Sequence, residues 1–297
     1  MLSSTTAALA HQGEALAPHE VWGAWNEDPL LLLGITAAAF LYLRGWSRGN
    51  RWPEHWRQPL GALGLAALAL AVLSPLDALA NTLASAHMVQ HILLILVAGP
   101  LLVAGGVSAT MMRGLSPSLR RATRRAARAS GADSVVHTLR RPVPAWVLHA
   151  GALWLWHSAY LYEAALGSHF LHGLEHLTFI ATALVFWSAV LSPRAHRRVP
   201  RGVGLLLVFT MALQGVLLSA LLTFAPTPWY DAYAETTEVW GLAPLADQQL
   251  AGVAMWVPGG LVYLGIALAL LAAWFRESAA TPHSHLDDAA ATSAPFS

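Results

Sequence analysis

The sequence contains no cysteine and no lysine, and it has few charged residues of any kind. Without cysteine the chain can form no disulfide and has no thiolate for metal binding or nucleophilic attack. Without lysine it cannot hold retinal as a Schiff base. Only 11% of the residues are charged, against about 25% in a typical soluble domain, and 56% are hydrophobic. The composition therefore indicates an integral membrane protein.

Long apolar segments define the predicted fold. A helix that crosses the hydrocarbon region of a bilayer needs about 18–20 predominantly apolar residues. Seven segments approach or meet this length: 29–46, 59–75, 83–105, 145–162, 169–191, 203–224 and 249–275. The second is the shortest, and polar residues interrupt the fourth. We predict an all-α integral membrane protein with seven transmembrane helices.

The basic residues, all arginines, indicate the orientation of these helices. They lie between segments one and two, three and four, and five and six, and after segment seven. The remaining connections, 76–82, 163–168 and 225–248, and residues 1–28 carry acidic residues but no arginine. The positive-inside rule places the arginine side in the cytoplasm, so we expect the N-terminus outside and the C-terminus inside.

This orientation also divides the chain into regions. We expect an extracytoplasmic segment over 1–28, a seven-helix membrane domain over 29–275 and a disordered cytoplasmic tail over 276–297. The arginine-rich connection 106–143 is explained by topology, and no nucleic-acid partner is expected. The aromatic residues around the acidic segments are typical of a membrane-interface belt: Trp22, Trp25, Trp229, Tyr230, Tyr233 and Trp240.

Histidines recur at one depth of the predicted bundle. His87 and His91 are four residues apart at the outer end of the third segment, so they share a helix face. The fourth segment places His157 near its outer end and His149 near its inner end. The fifth begins with the pair His172 and His176. At 1.5 Å per residue, His91, His157, His172 and His176 fall within roughly 5–12 Å of the outer boundary.

Five histidines at one level predict a shared metal or cofactor site, and a metal-free network of polar side chains is the alternative. The ligand candidates are His87, His91, His157, His172 and His176, with Met88 and Met255 as auxiliary thioethers. Glu175, Asp77, Asp247 and Gln248 are candidates for supporting the ligands or lining the approach. Pro258, followed by two glycines, predicts a loosened seventh helix.

Imidazole and thioether ligands favour copper, in particular Cu(I). The same histidines also suit an intramembrane zinc hydrolase with Glu175 as acid and base. A bis-histidine haem or a scaffold without catalytic activity is a third possibility. The sequence does not choose among them by spacing alone.

Four motifs, spread over residues 29–275, resemble the Caa3_CtaG family of cytochrome c oxidase assembly factors. They comprise Ser74-Pro75-Leu76-Asp77 with His87-Met88-Val89-Gln90-His91; Trp156-His157 with Leu161-Tyr162; His172-Gly173-Leu174-Glu175-His176 through Phe186-Trp187; and Asp247-Gln248-Gln249-Leu250-Ala251-Gly252 with Met255-Trp256-Val257-Pro258-Gly259-Gly260. Ser158-Ala159 departs from the family pattern, in which proline commonly follows Trp-His.

The resemblance implies a role in supplying copper to a haem–copper oxidase, with no enzymatic activity of its own. The implied partners are the lipid bilayer and an oxidase subunit or a periplasmic copper chaperone. A homo-oligomer is compatible with these features.

Overall fold

The computed structural model describes residues 15–49, 57–191 and 200–280, and within these ranges every regular element is a helix. A π-helical segment, Leu93–Ala98, joins α4 to α5. The α-helices are α1 (Pro29–Ser47), α2 (Gln58–Leu73), α3 (Pro75–Ala80), α4 (Ala84–Ile92), α5 (Gly99–Ala104), α6 (Val107–Gly114), α7 (Pro117–Ala129), α8 (Ala132–Leu139), α9 (Pro142–Trp156), α10 (Ala159–Leu166), α11 (His169–Leu191), α12 (Arg201–Thr223) and α13 (Pro244–Ala280). The prediction of an all-helical fold is confirmed.

Within the described residues, five helical stretches are long and apolar enough to cross a membrane: Pro29–Ser47, Ala84–Ala104, His169–Leu191, Arg201–Thr223 and Pro244–Ser278. The second predicted segment forms the shorter apolar helix α2. The fourth, 145–162, is not one continuous helix. It divides because α9 ends at Trp156, Ser158 adopts an extended backbone, and α10 begins at Ala159.

The third predicted segment forms a continuous helical path through α4, the π-helical segment and α5. Pro100 has no N–H group to continue the helical ladder, and the widened turn lies just before it. The buried indole of Trp187 donates a hydrogen bond to the Ile95 carbonyl at 2.8 Å, within that turn. The irregular turn is therefore stabilised by a side chain of α11.

The last helix, α13, continues without a break through Pro258, contrary to the loosening predicted there. It packs along α12, where a Cβ atom on Gly252 would collide with Thr223 and the Ser219 carbonyl. Glycine is thus required for this close approach of the two backbones. The helix also extends to Ala280, so the first residues of the expected disordered tail are helical, and 281–297 lie outside the described residues.

Four segments without arginine meet at one end of the bundle, and we call them the cap: 15–28, 74–83, 157–168 and 225–243. The Leu16 amide donates to Thr82 Oγ1 at 3.1 Å, and the Trp240 indole donates to the Leu16 carbonyl at 2.9 Å. The Asp231 amide donates to Glu163 Oε1 at 2.8 Å. The segments that the sequence places on one side of the membrane therefore form one hydrogen-bonded structure.

Arginines occupy the opposite end and bond the carboxyl ends of short helices. The Arg48 guanidinium donates to three successive carbonyls at the end of α6, from Arg113 to Leu115, at 3.2–3.4 Å. The Arg57 side chain donates to the Ala104 carbonyl, where α5 ends, at 2.7 Å. Carbonyls at a helix end have no partner within the helix, so these contacts satisfy them. Arg51, Arg194, Arg197 and Arg198 lie outside the described residues.

Candidate metal centre

Three helices bring the predicted ligands together beneath the cap. Helix α4 carries His87, Met88 and His91, the end of α9 carries His157, and α11 carries His172, Glu175 and His176. His87, Met88 and Glu175 are fully buried, and none of the other four is more than 9% exposed. All five histidines predicted from the sequence therefore occupy one buried cluster, which we call the histidine cluster.

Asp247 fixes the start of the helix that carries two of these histidines. Its carboxylate, at the beginning of α13, accepts hydrogen bonds from the amides of Ala84 and Ser85 at 2.6 and 3.3 Å, and from the Ser85 hydroxyl. Those amides belong to the first turn of α4, where backbone donors lack helical partners and where negative charge is favourable. Asp247 thus acts as the N-cap of α4, although it belongs to another helix.

His87, His91 and Glu175 form the tightest group of potential ligands. The two Nε2 atoms lie 2.9 Å apart, and the carboxylate oxygens lie 3.6 Å from that of His87 and 3.4 Å from that of His91. Neither oxygen of Glu175 has a hydrogen-bond partner among the described residues. The carboxylate therefore faces the Nε2 atoms of both imidazoles and forms no hydrogen bond with their Nδ1 atoms.

His172 and His176 form a second group, which shares His87 with the first. One potential ligand atom from each of these three histidines lies within 4.8 Å of the others. The ring centroids of His172 and His176 are 4.2 Å apart, as expected for neighbours on one helix face. Within the part of the chain that the structure describes, the buried Nε2 atoms of both have no hydrogen-bond partner.

The contacts of Tyr233 determine which nitrogen of His87 carries the proton. The Tyr233 hydroxyl donates its single proton to the Ala80 carbonyl at 2.8 Å, since a carbonyl can only accept. It therefore accepts from Nδ1 of His87, which lies 3.2 Å away. A neutral imidazole protonated at Nδ1 has its lone pair on Nε2, and that nitrogen accepts a hydrogen bond from Nε2 of His91 at 2.9 Å and faces Glu175.

The same reasoning applies to His157. Its Nδ1 lies 2.7 Å from the Leu153 carbonyl and must donate to it, which leaves the lone pair on Nε2. That nitrogen lies 3.3 Å from the sulfur of Met88. A neutral imidazole nitrogen and a thioether sulfur are both acceptors here, so the contact itself contains no donor. A cation between them would satisfy both lone pairs.

Buried polar atoms without partners are uncommon and costly, and this cluster concentrates several of them. Its free atoms are lone-pair donors of the imidazole, carboxylate and thioether types. These are ligands for metal ions such as zinc and copper. The arrangement can hold one metal ion at either group, with His87 available to both.

The remaining predicted residues lie near the cluster but make other contacts. Asp77 accepts hydrogen bonds from Gln90 at 2.7 Å and Asn26 at 2.8 Å, which tie the cap to α4. Gln248 accepts from the Trp229 amide at 2.6 Å and fastens the connection 225–243 to α13. Met255 lines a cavity of about 50 Å³ that also borders Met88, His91 and His157.

The sequence did not reveal the tyrosines that cover the cluster. Tyr230 and Tyr233 are among the residues predicted to form a membrane-interface belt, yet each is only 2% exposed, whereas Trp22 is 83% exposed, as a belt residue would be. The Tyr230 ring stacks on Tyr162 at 3.8 Å, and its hydroxyl donates to the His157 carbonyl at 3.0 Å. A useful signal would have been the absence of arginine from every segment around them.

The helices and the cluster define a multi-pass helical membrane protein with a buried, histidine-rich group of potential metal ligands. The family to which it belongs follows from its sequence, since residues 39–277 match the family model described as cytochrome c oxidase caa3 assembly factor (Caa3_CtaG). The match covers most of the chain, including all residues of the histidine cluster. The chain therefore belongs to the Caa3_CtaG family, and the resemblance seen in its motifs is confirmed.

Similar proteins occur in mycobacteria. The chain is 24% identical over 263 residues to an uncharacterised protein of Mycobacterium leprae, and 25% identical over 268 residues to uncharacterised proteins of Mycobacterium bovis and Mycobacterium tuberculosis. Each alignment covers 85% of this chain but only 40% of the relative. The chain thus spans about two-fifths of the length of these relatives. No solved structure matches it.

Proposed function

We propose that this protein holds copper, as Cu(I), at the histidine cluster and supplies it to a cytochrome c oxidase during assembly. The observation that carries the proposal is the convergence of free lone pairs from three helices on one buried volume. Nε2 of His87 and of His157 are unprotonated by their contacts, and the latter faces the Met88 sulfur at 3.3 Å. An imidazole and thioether environment suits Cu(I).

The proposed ligands are His87, His91, His157, His172 and His176, with the thioethers of Met88 and Met255 as auxiliaries. Glu175 offsets the charge of the buried cation, because its carboxylate faces the same nitrogens. Asp247 and Asp77 position α4, and Gln248 positions the cap above it. Membership of an oxidase-assembly family supports the destination of the metal.

The proposal includes a location. Helix α2 and the divided pair α9 and α10 would complete a seven-span bundle in a bacterial plasma membrane, with the cap outside and the arginines inside. Copper would then enter or leave on the outer side, from a periplasmic chaperone or toward an oxidase subunit. The family and the acidic, arginine-free cap support this arrangement.

The test measures the metal bound to the purified full chain after expression with copper and zinc both present. We expect copper, and we expect His87→Ala, His91→Ala, His172→Ala and His176→Ala each to lower it at least tenfold, because each removes one ligand from a small set. His137→Ala, an exposed histidine on α8, is the control and should change nothing.

A second arm of this test uses cells. Cells without the protein should contain oxidase polypeptides with low copper content, partly restored by added copper. Equal metal retention by all of the variants would show that the cluster is a network of polar side chains. Normal copper in the oxidase of cells that lack the protein would exclude the supply role.

One observation favours a second candidate, an intramembrane zinc hydrolase. The ligand atoms of His87 and His91 and a carboxylate oxygen of Glu175 lie within 4.8 Å of one another, which places an acid and base group beside two possible zinc ligands. Glu175→Gln separates the two functions. For the copper protein we expect affinity about 10–100-fold weaker, with partial oxidase maturation. A variant that binds zinc normally but has a rate lower by about 10²–10⁴ would support the hydrolase.

A further inference from the structure

A second group of potential ligands lies two helical turns from the histidine cluster. The cavity of about 50 Å³ lies between α4, α9, α12 and α13, and it contacts the cluster through Met88, His91 and His157. His149, Met211 and Met255 also line it. A single water molecule needs roughly 10–15 Å³ measured in this way, so the cavity has room for a cation together with a water molecule.

Among these three residues, His149 has an imidazole nitrogen that is not used by any hydrogen bond within the described part of the chain. It is fully buried. Its Nδ1 lies 3.0 Å from the hydroxyl of Thr182, and that hydroxyl already donates to the Thr178 carbonyl at 2.8 Å. Nδ1 must therefore be the donor, and the lone pair lies on Nε2. In the described structure that nitrogen has no hydrogen-bond partner.

The methionine sulfur atoms of the chain are concentrated around this cavity. The chain has six methionines, and three of them line this one cavity, on three different helices. Met88 and Met211 are almost completely buried, at 0% and 1% exposure. Of the described residues that line the cavity, none is a carboxylate or an arginine. A monovalent soft cation suits this lining better than a divalent ion, whose charge would be buried without compensation.

We infer that this cavity is a second Cu(I) site, formed by Nε2 of His149 and the sulfur of Met211, with Met88 and Met255 shared with the histidine cluster. The inference rests on the proposed function, because the same metal would occupy both sites. His149 and His157 are eight residues apart on one helix, about 12 Å along its axis. Copper can therefore occupy two successive positions within the protein.

The test is an anaerobic titration of the purified full chain with Cu(I) in competition with a colorimetric chelator. We expect two Cu(I) per chain in the unchanged protein, and one in His149→Phe. Met211→Leu, which nearly conserves side-chain volume, should weaken the second Cu(I) at least tenfold. Met111→Leu is the matched control, since this partly buried methionine of α6 packs elsewhere, and it should retain both ions.

The outcomes separate this inference from the proposed function. His91→Ala should remove the other Cu(I) while the His149 site remains occupied. His149→Gln keeps a donor for Thr182 and serves if His149→Phe does not fold. One Cu(I) per chain that is unaffected by the His149 and Met211 variants would overturn the second site and leave the first. No bound Cu(I) in the unchanged protein would overturn both.

Discussion

At the scale of single residues, Tyr233 and His87 are linked so that the tyrosine directs the lone pair of the histidine. Burial raises the pKa of the Tyr233 hydroxyl well above its usual range, so the hydroxyl keeps its proton at neutral pH. The hydroxyl donates this proton in a hydrogen bond to the Ala80 carbonyl. The oxygen accepts from His87, and Nε2 is left for a metal. An outer hydrogen bond of this kind fixes both the tautomer and the orientation of a ligand.

Tyr233→Phe should therefore weaken Cu(I) binding without unfolding the protein. The variant removes the acceptor for Nδ1 of His87, and losing such a supporting partner costs about 10–100-fold in metal affinity. Chelator competition on the purified chain measures the effect. Tyr160→Phe, at a position 81% exposed, is the control. Identical affinities for the two variants would show that Tyr233 does not support the site.

Much of the histidine cluster can be predicted from the sequence, because two pairs spaced by four residues must share helix faces. His157 was also predicted, from its depth in the fourth segment. His149 was not assigned to the site, since depth alone placed it near the other end of the same helix. The cavity that connects it to His157 depends on how four helices pack. Sequence periodicity contains no information about such a volume.

At the scale of elements, α4 is short and depends on another helix for its start. Leu83 precedes it and has no side-chain acceptor, so the carboxylate of Asp247 serves the first amides. The sequence predicted that Asp247 supports the site. Its carboxylate accepts hydrogen bonds from the backbone of α4, and not from an imidazole. The distance of 163 residues along the chain explains why local patterns could not show this contact.

Asp247→Ala should lower the free energy of unfolding by about 1–2 kcal/mol, because it removes the N-cap of α4 and leaves buried amides without an acceptor. Thermal unfolding of the purified protein in detergent measures the change. The control is Asp231→Ala, whose side chain is exposed in the cap. If the two variants unfolded at the same temperature, α4 would not need the carboxylate.

Helix boundaries were predictable where apolar sequence alone determines them and not elsewhere. The fifth segment, 169–191, coincides with α11 (His169–Leu191). The end of α9 at Trp156 was not resolved by hydropathy, because it depends on His157 and Ser158 leaving the helical conformation. The π-helical segment lies just before Pro100, and its stabilising contact from Trp187 comes from a helix distant in sequence.

At the scale of the whole molecule, charge is divided between the two ends of the bundle. The cap contains no arginine, while Arg48 and Arg57 bond helix ends on the other side. We expect a reporter that works only outside the cytoplasm to be active when fused near Asp231 and inactive when fused near Arg124. The opposite activities would place the histidine cluster in the cytoplasmic half of the membrane.

If the histidine cluster holds a metal ion as proposed, the cap also affects how long that ion stays in the protein. Every histidine of the cluster is at most 9% exposed beneath the cap, so we expect an ion to leave when a capping segment moves aside. The rate of exchange then depends on the opening of hydrogen bonds such as that between Asp231 and Glu163, as well as on the bonds to the metal. Residence time and affinity become separate properties. A recipient that loosens the cap can accelerate transfer without binding copper more tightly than the protein that releases it.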